Sequence, residues 1–266
     1  MKRVQIPEIP YTLPDLLEKY AKRCDLFDSS CSPEARVYFL KGEGRKSESF
    51  YLKRANAGTL SREALMTSYF HTLALGTEVV EYLTEDGFDW MLTRAVHGED
   101  CTHTDYLSNP YRLAKTTGTL LRALHEVHAE GCPAPDRISE YLTTAEANYQ
   151  SANYDKSHFP DSFGYRSAEE AYSHLCEGRT LLRGDTLIHG DYCLPNIILR
   201  DWRLSAFIDV DHGGIGDRHI DLFWGAWTLG FNLGTDIYRD TFFDAYGRDK
   251  INPDALSVVA AAEVFG

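Results

Sequence analysis

The sequence predicts an α+β protein of two lobes: a small N-terminal lobe on an antiparallel sheet over residues 1–96, and a mostly helical C-terminal lobe over 97–266. Three observations predict it. Runs rich in β-formers crowd the first third of the chain, and two of them flank a short polar turn. Helical periodicity dominates beyond His97. A length of 266 residues with 43% hydrophobic content supplies one large or two modest cores without disulfides or metals.

Taken in order, Thr12-Leu13-Pro14-Asp15 offers an N-cap with proline inside the first turn, and Leu16, Leu17, Tyr20 and Ala21 follow at helical spacing. A helix is therefore expected to open the chain. Ala35 to Leu40 and Ser49 to Lys53 flank Gly42-Glu43-Gly44-Arg45-Lys46-Ser47 and read as a hairpin. That turn lacks the glycine spacing of a P-loop and leads into a strand, so it is read as a turn only. Glu63 to Leu73 reads as a helix, and Glu78 to Tyr82 and Phe88 to Thr93 as the remaining strands.

In the second lobe, Asn109-Pro110 caps a long amphipathic helix carrying Leu113, Leu120, Leu121, Leu124 and His128, ended by Gly131 and Pro133. Residues 150 to 166 read as a surface loop, and Ser167-Ala168-Glu169-Glu170 as a capping box before another helix. Leu222 to Phe231, Ile237 to Tyr246 and Pro253 to Val264 read as closing helices, with Phe223-Trp224-Gly225-Ala226-Trp227 expected in the core. His125 and His128 lack the four-residue spacing of a zinc-protease helix and are read as a helix-face pair that binds no metal.

Composition narrows the function. No apolar run approaches the ~20 residues needed to cross a bilayer, and no apolar stretch follows the basic start, so a cytoplasmic protein without a membrane partner is expected. Six cysteines without a Cys-x-x-Cys pair fit reduced thiols. The net charge of −13 argues against nucleic acid as a partner and favours a cationic small molecule.

The chemistry is concentrated in His189-Gly190-Asp191-Tyr192-Cys193-Leu194-Pro195-Asn196, followed by Ala206-Phe207-Ile208-Asp209. An acid, an amide five residues on and a second acid after an apolar run have the spacing of a kinase centre. Asp191 is read as the base or orienter for an attacking hydroxyl, while Asn196 and Asp209 offer hard oxygen ligands suited to Mg²⁺. Lys53 at the end of a strand and Glu63 on the next helix form the expected ion pair on the nucleotide phosphates. Ser32, within Ser30-Cys31-Ser32-Pro33-Glu34, is a further phosphate-side donor.

Across nearly the whole chain these residues resemble the bacterial aminoglycoside 3'-phosphotransferases. Ser32-Pro33, Tyr51-Leu52-Lys53, Arg62-Glu63, His189-Gly190-Asp191, Cys193 to Asn196, Phe207-Ile208-Asp209, Gly216-Asp217-Arg218 with Asp221, and the terminal Glu263-Val264-Phe265 are similar to that family's landmarks in order. The resemblance implies a bilobal protein-kinase-like fold and transfer of the γ-phosphate of ATP to the 3'-hydroxyl of an aminoglycoside, with GTP open as a donor and Mg²⁺ as the metal. It implies that Thr93, Arg94, Ala95 and Val96 form the hinge that meets adenine, and that Asp217 and Asp221 brace the catalytic loops. Departures lie on the drug side, where Asp211-His212 stands for a usual Gly-Arg and Ala262 for a usual Asp. Carboxylates remain for a polyamine sugar at Asp155, Asp161, Glu169, Asp211 and Glu263, with Phe265 beside the last. A kinase of the same fold acting on a sugar, choline-like amine or macrolide, and a non-catalytic nucleotide-binding regulator, are the competing readings.

Overall fold

The computed structural model describes residues 3–22, 24–31, 33–44, 48–155 and 164–266. It divides into two compact units, Met1–His103 with Pro195–Asp211, and Thr104–Leu194 with His212–Gly266. The sequence reading makes one cut after residue 96; the contacts also return residues 195–211 to the first unit, because two later strands pair there.

The first unit is built on an antiparallel sheet of β1 (Val4–Ile6), β2 (Cys24–Asp28), β3 (Ala35–Gly42), β4 (Phe50–Asn56), β5 (Val79–Glu85) and β6 (Phe88–Arg94), ordered β1-β2-β3-β4-β6-β5. A strand, not a helix, therefore opens the described chain; three residues before Pro7 are too few to show a period, and pairing with β2 makes them a strand. Helix α1 (Asp15–Ala21) follows and buries Leu17 with Tyr38, Leu40, Leu52, Trp90 and Leu92. On α2 (Ser61–Thr72), Ala64 packs with Leu60, Ala35, Ala55 and Met91. Burying these apolar side chains contributes roughly 1.5–3 kcal/mol each for the larger ones. A second small sheet joins β7 (Glu99–Asp100), β9 (Ile197–Arg200) and β10 (Arg203–Phe207) in the order β10-β9-β7.

The second unit holds α3 (Thr104–Leu107), α4 (Pro110–His125), α5 (Arg137–Ser151), α6 (Ala168–Gly178), α7 (Arg218–Leu233), α8 (Arg239–Tyr246) and α9 (Pro253–Glu263), with β8 (Thr186–Ile188) paired to β11 (Gly214–Gly216). Helices α4 and α8 pack so closely at Gly118 that a Cβ there would lie 2.4 Å from the Phe242 carbonyl oxygen. The expected cap before α6 forms on one side, with Ser167 Oγ accepting from the Glu170 amide at 3.2 Å, while Glu170 reaches one residue further and accepts from the Arg166 amide at 2.8 Å. Helix α5 was not anticipated; its start is marked by Asp136, whose carboxylate accepts from the Ser139 amide at 3.1 Å.

Two expectations are corrected. Helix α4 stops at His125, so His128 lies beyond it and exposed, while His125 is buried; the two do not share a helix face. Trp227 is not core: it is 37% exposed, with Phe231 beyond it at 71%, because α7 turns Ile220, Leu222, Ala226 and Leu229 inward instead. Among the described residues no helix is long and apolar enough to cross a membrane.

Candidate active site

Strand β4 places Lys53 in the centre of the first sheet, with Val37 and Met91 as its cross-strand neighbours. Its ammonium meets Glu63 Oε2 at 2.7 Å and Asp209 Oδ1 at 3.2 Å. Burial alone would depress the Lys53 ammonium, but Asp209 and Glu63 outweigh it and hold it above the ordinary lysine value. Burial pushes the Glu63 carboxyl up, with Asp209 and Asp211 adding to it against the pull of Lys53.

Asp209 has φ +53°, in the left-handed region where non-glycine residues are uncommon and Asp is among the more tolerant. Asn196 is buried, and its carbonyl accepts from the Ile208 amide at 3.0 Å, tying it to the segment that carries Asp209. Among the described residues no group of three or more His, Cys, Asp and Glu is arranged to hold a metal. An amide and one carboxylate leave most of a cation's coordination to phosphate oxygens and water, which is how Mg²⁺ is usually held on a nucleotide, so these residues fit it.

Lys53, Glu63 and Asp209 line a cavity of about 250 Å³ within the first unit. Thr93, Arg94, Ala95 and Val96 line it as well, with Ala35, Val37, Met91, Ile198 and Ile208 as apolar walls. The Thr93–Val96 side of the cavity is tied down: the Ala95 amide donates to the Ser49 carbonyl at 2.9 Å, the Arg94 amide to the Glu78 carbonyl at 2.9 Å, and the Thr77 hydroxyl to the Arg94 carbonyl. Ser32 lies outside the described residues. The apolar walls were missed from sequence, although placing Val37 and Met91 opposite Lys53 in the strand register would have found two of them.

In the second unit, Leu187 and Ile188 on β8 are buried and lead into His189-Gly190-Asp191. The loop is held by its main chain. Asp221, fully buried on α7, accepts from the His189 and Gly190 amides at 2.7 Å each. Gly190 has φ +85°, and a Cβ there would lie 2.1 Å from the His212 carbonyl oxygen, so only glycine fits. Beyond Asp191, the Cys193 amide donates to the Asp191 carbonyl at 2.8 Å, the Tyr192 hydroxyl to the Thr117 carbonyl at 2.8 Å, and the Leu194 amide to Thr228 Oγ1 at 3.2 Å.

Behind this loop, His125 lies between Asp221 (3.1 Å) and the Tyr246 hydroxyl (2.9 Å). Burial pushes its pKa down, so the ring is neutral, with Nε2–H donating to Asp221 and Nδ1 accepting from Tyr246. Asp217 caps α7 through the His219 amide at 2.8 Å and also accepts from the Arg183 amide at 2.6 Å. Burial would raise Asp217, but these bonds and His219 keep it below the ordinary carboxylate value.

Glu263 is buried in the second unit, where the Tyr141 hydroxyl donates to it at 2.8 Å. Burial raises its carboxyl to about 7, with a smaller push from Asp191. Asp155 and Glu169 are exposed, Asp211 belongs to the first unit, and Asp161 lies outside the described residues. Phe265 is enclosed: its ring packs against Tyr149, Tyr154 and Tyr172 at 5.5, 5.5 and 6.1 Å. Asn148 donates to its carbonyl at 2.8 Å, so this residue anchors the chain end by packing.

Residues 33–258 match the model of the phosphotransferase enzyme family. The chain is 48% identical to a probable aminoglycoside 3'-phosphotransferase of Lactococcus lactis over 95% of both chains. Its fold is that of the crystal structure of an aminoglycoside-3'-phosphotransferase of type VIII, with a TM-score of 0.78 at 23% identity over 94% of this chain and 96% of that one. A Streptomyces rimosus aminoglycoside phosphotransferase in complex with ADP and streptomycin is similar at a TM-score of 0.70 and 20% identity, over 86% and 90% of the two chains.

Proposed function

The chain belongs to the aminoglycoside 3'-phosphotransferase family, and from that premise we propose that it moves the γ-phosphate of ATP to the 3'-hydroxyl of an aminoglycoside, so conferring resistance. The observation that carries the nucleotide half is the Lys53–Glu63–Asp209 cluster on the wall of an apolar cavity. Apolar walls sandwich a base, hinge main chain meets its edge, and Lys53, oriented by Glu63, takes the phosphates. Asn196 and Asp209 would hold Mg²⁺, which would supply positive charge against the phosphate oxygens. Asp191 accepts or orients the acceptor hydroxyl's proton, and the main-chain bonds to Asp221 fix where its carboxylate stands. Catalysis is then by positioning and charge, without a covalent enzyme intermediate. ATP as donor places the reaction in the cytoplasm.

Incubation with ATP, Mg²⁺ and kanamycin should release ADP and give a product phosphorylated at the 3'-hydroxyl, located by two-dimensional ³¹P–¹H NMR. Its KM should rise with ionic strength, since a polycation is held by partly screened carboxylates. GTP in place of ATP reads the donor preference. Turnover of a macrolide or neutral sugar, insensitive to salt, with no aminoglycoside product, would overturn the acceptor assignment.

A further inference from the structure

Helix α7 holds the catalytic loop at two points, Asp221 under His189 and Gly190, and Thr228 under Leu194. Trp224 stands between them, three residues after the first and four before the second, and so on the same side of the helix. Trp224 itself packs against the core of the second unit. From Trp224 an aromatic row runs outward. Trp227 meets it edge-on at 5.4 Å, and Phe231 stacks on Trp227 at 5.1 Å with the rings 10° from parallel. The outer two rings are 37% and 71% exposed.

Resting on the aminoglycoside reading above, we propose that Trp227 and Phe231 form a stacking platform for an amino-sugar ring of the acceptor, a different ring from the one presented to Asp191. A sugar ring offers an apolar C–H face, and an ammonium is attracted to the negative face of an indole more strongly than to any other aromatic side chain. The occupant matches the chain in charge: a cationic ring is drawn to a protein of net charge −13. A second copy of the chain fits less well. Two rings offer at most roughly 500 Å², short of the ~800 Å² per partner of a stable interface. The platform would favour acceptors with an additional amino-sugar ring over smaller ones.

Trp227→Leu keeps an apolar side chain and removes the π face. Its KM for kanamycin should rise on the order of 3- to 30-fold, while kcat, the KM for ATP and the melting temperature stay close to wild type. Trp227→Phe should retain most of the affinity, and Phe231→Leu should give a smaller rise of the same kind. Quenching of tryptophan fluorescence by kanamycin, titrated without nucleotide, should weaken in Trp227→Leu by the same factor. Unchanged KM and quenching in Trp227→Leu of an active enzyme would overturn the platform and leave the function standing. So would a loss of kcat and melting temperature together, which marks a packing role. A concentration-dependent dimer by light scattering that Phe231→Leu abolishes would assign the patch to a second copy. A wild-type protein that phosphorylates no aminoglycoside would remove the function and the platform with it.

Discussion

In the first unit Lys53 is held side chain to side chain, by carboxylates at 2.7 and 3.2 Å, whereas in the second the loop bearing Asp191 is held through main-chain amides that end on Asp221. The first arrangement lines a cavity, and Asp209 is half exposed, so its charges stay available to a ligand. The second is sealed in the core. Asp221 is fully buried and accepts three hydrogen bonds, from His189, Gly190 and His125, so it supplies rigidity and no ligand reaches it. Substitutions in the first unit should therefore change nucleotide and metal handling at little cost to stability. Substitutions beneath the loop should lower stability and turnover together.

The largest effect is expected at Asp209. Asp209→Ala should abolish Mg²⁺-dependent turnover, yet shift the melting temperature little because the side chain is half exposed. Lys53→Ala should raise the KM for ATP about ten-fold or more and leave the KM for the acceptor unchanged. Steady-state kinetics with each substrate varied in turn would check both, and an unchanged KM for ATP would break the assignment of the first unit to nucleotide.

Asp221→Ala should act in the opposite way. It leaves two buried amides without an acceptor, at a cost of roughly 2–5 kcal/mol, readable as a lower melting temperature and urea midpoint with kcat reduced alongside. Full stability in that variant would show that the loop is held by something other than α7.

The contrast also explains what could be read from the chain alone. Lys53 and Glu63 are ten residues apart on a strand and the following helix, and Asp191, Asn196 and Asp209 fall within one short segment, so local spacing carries the catalytic set. The supports do not share that property. Asp221 reaches His189 across 32 positions, Thr228 reaches Leu194 across 34, and Phe265 meets Asn148 across 117, distances that no periodicity encodes. Helix α5 was missed because Tyr141, Leu142 and Tyr149 are only partly buried and leave a weak apolar stripe. The apolar type of Trp227 points to the core, whereas the helix face decides burial and leaves it exposed.

Glu263 sharpens the comparison within the second unit. Its folded pKa, about 7, lies above the ordinary 4.5, so the folded state binds the proton more tightly than the unfolded chain. Stability from this group is full below pH 4.5 and is lost as pH rises through about 7. At about 1.4 kcal/mol per pH unit the loss is on the order of 3 kcal/mol. Glu263→Gln, with nothing to ionise, should flatten that decline in a series of urea melts between pH 4.5 and 8. A slope equal to wild type would mean that Glu263 is ionised throughout.

The central claim is that Asp191 serves the acceptor hydroxyl while nucleotide is held elsewhere, and Asp191→Asn tests it with two readings on one protein. Aminoglycoside-dependent ADP release should fall on the order of 10²-fold or more, while ATP affinity by calorimetric titration stays within about two-fold of wild type. Retained turnover, or a loss of ATP binding that matches the loss of turnover, would contradict the account.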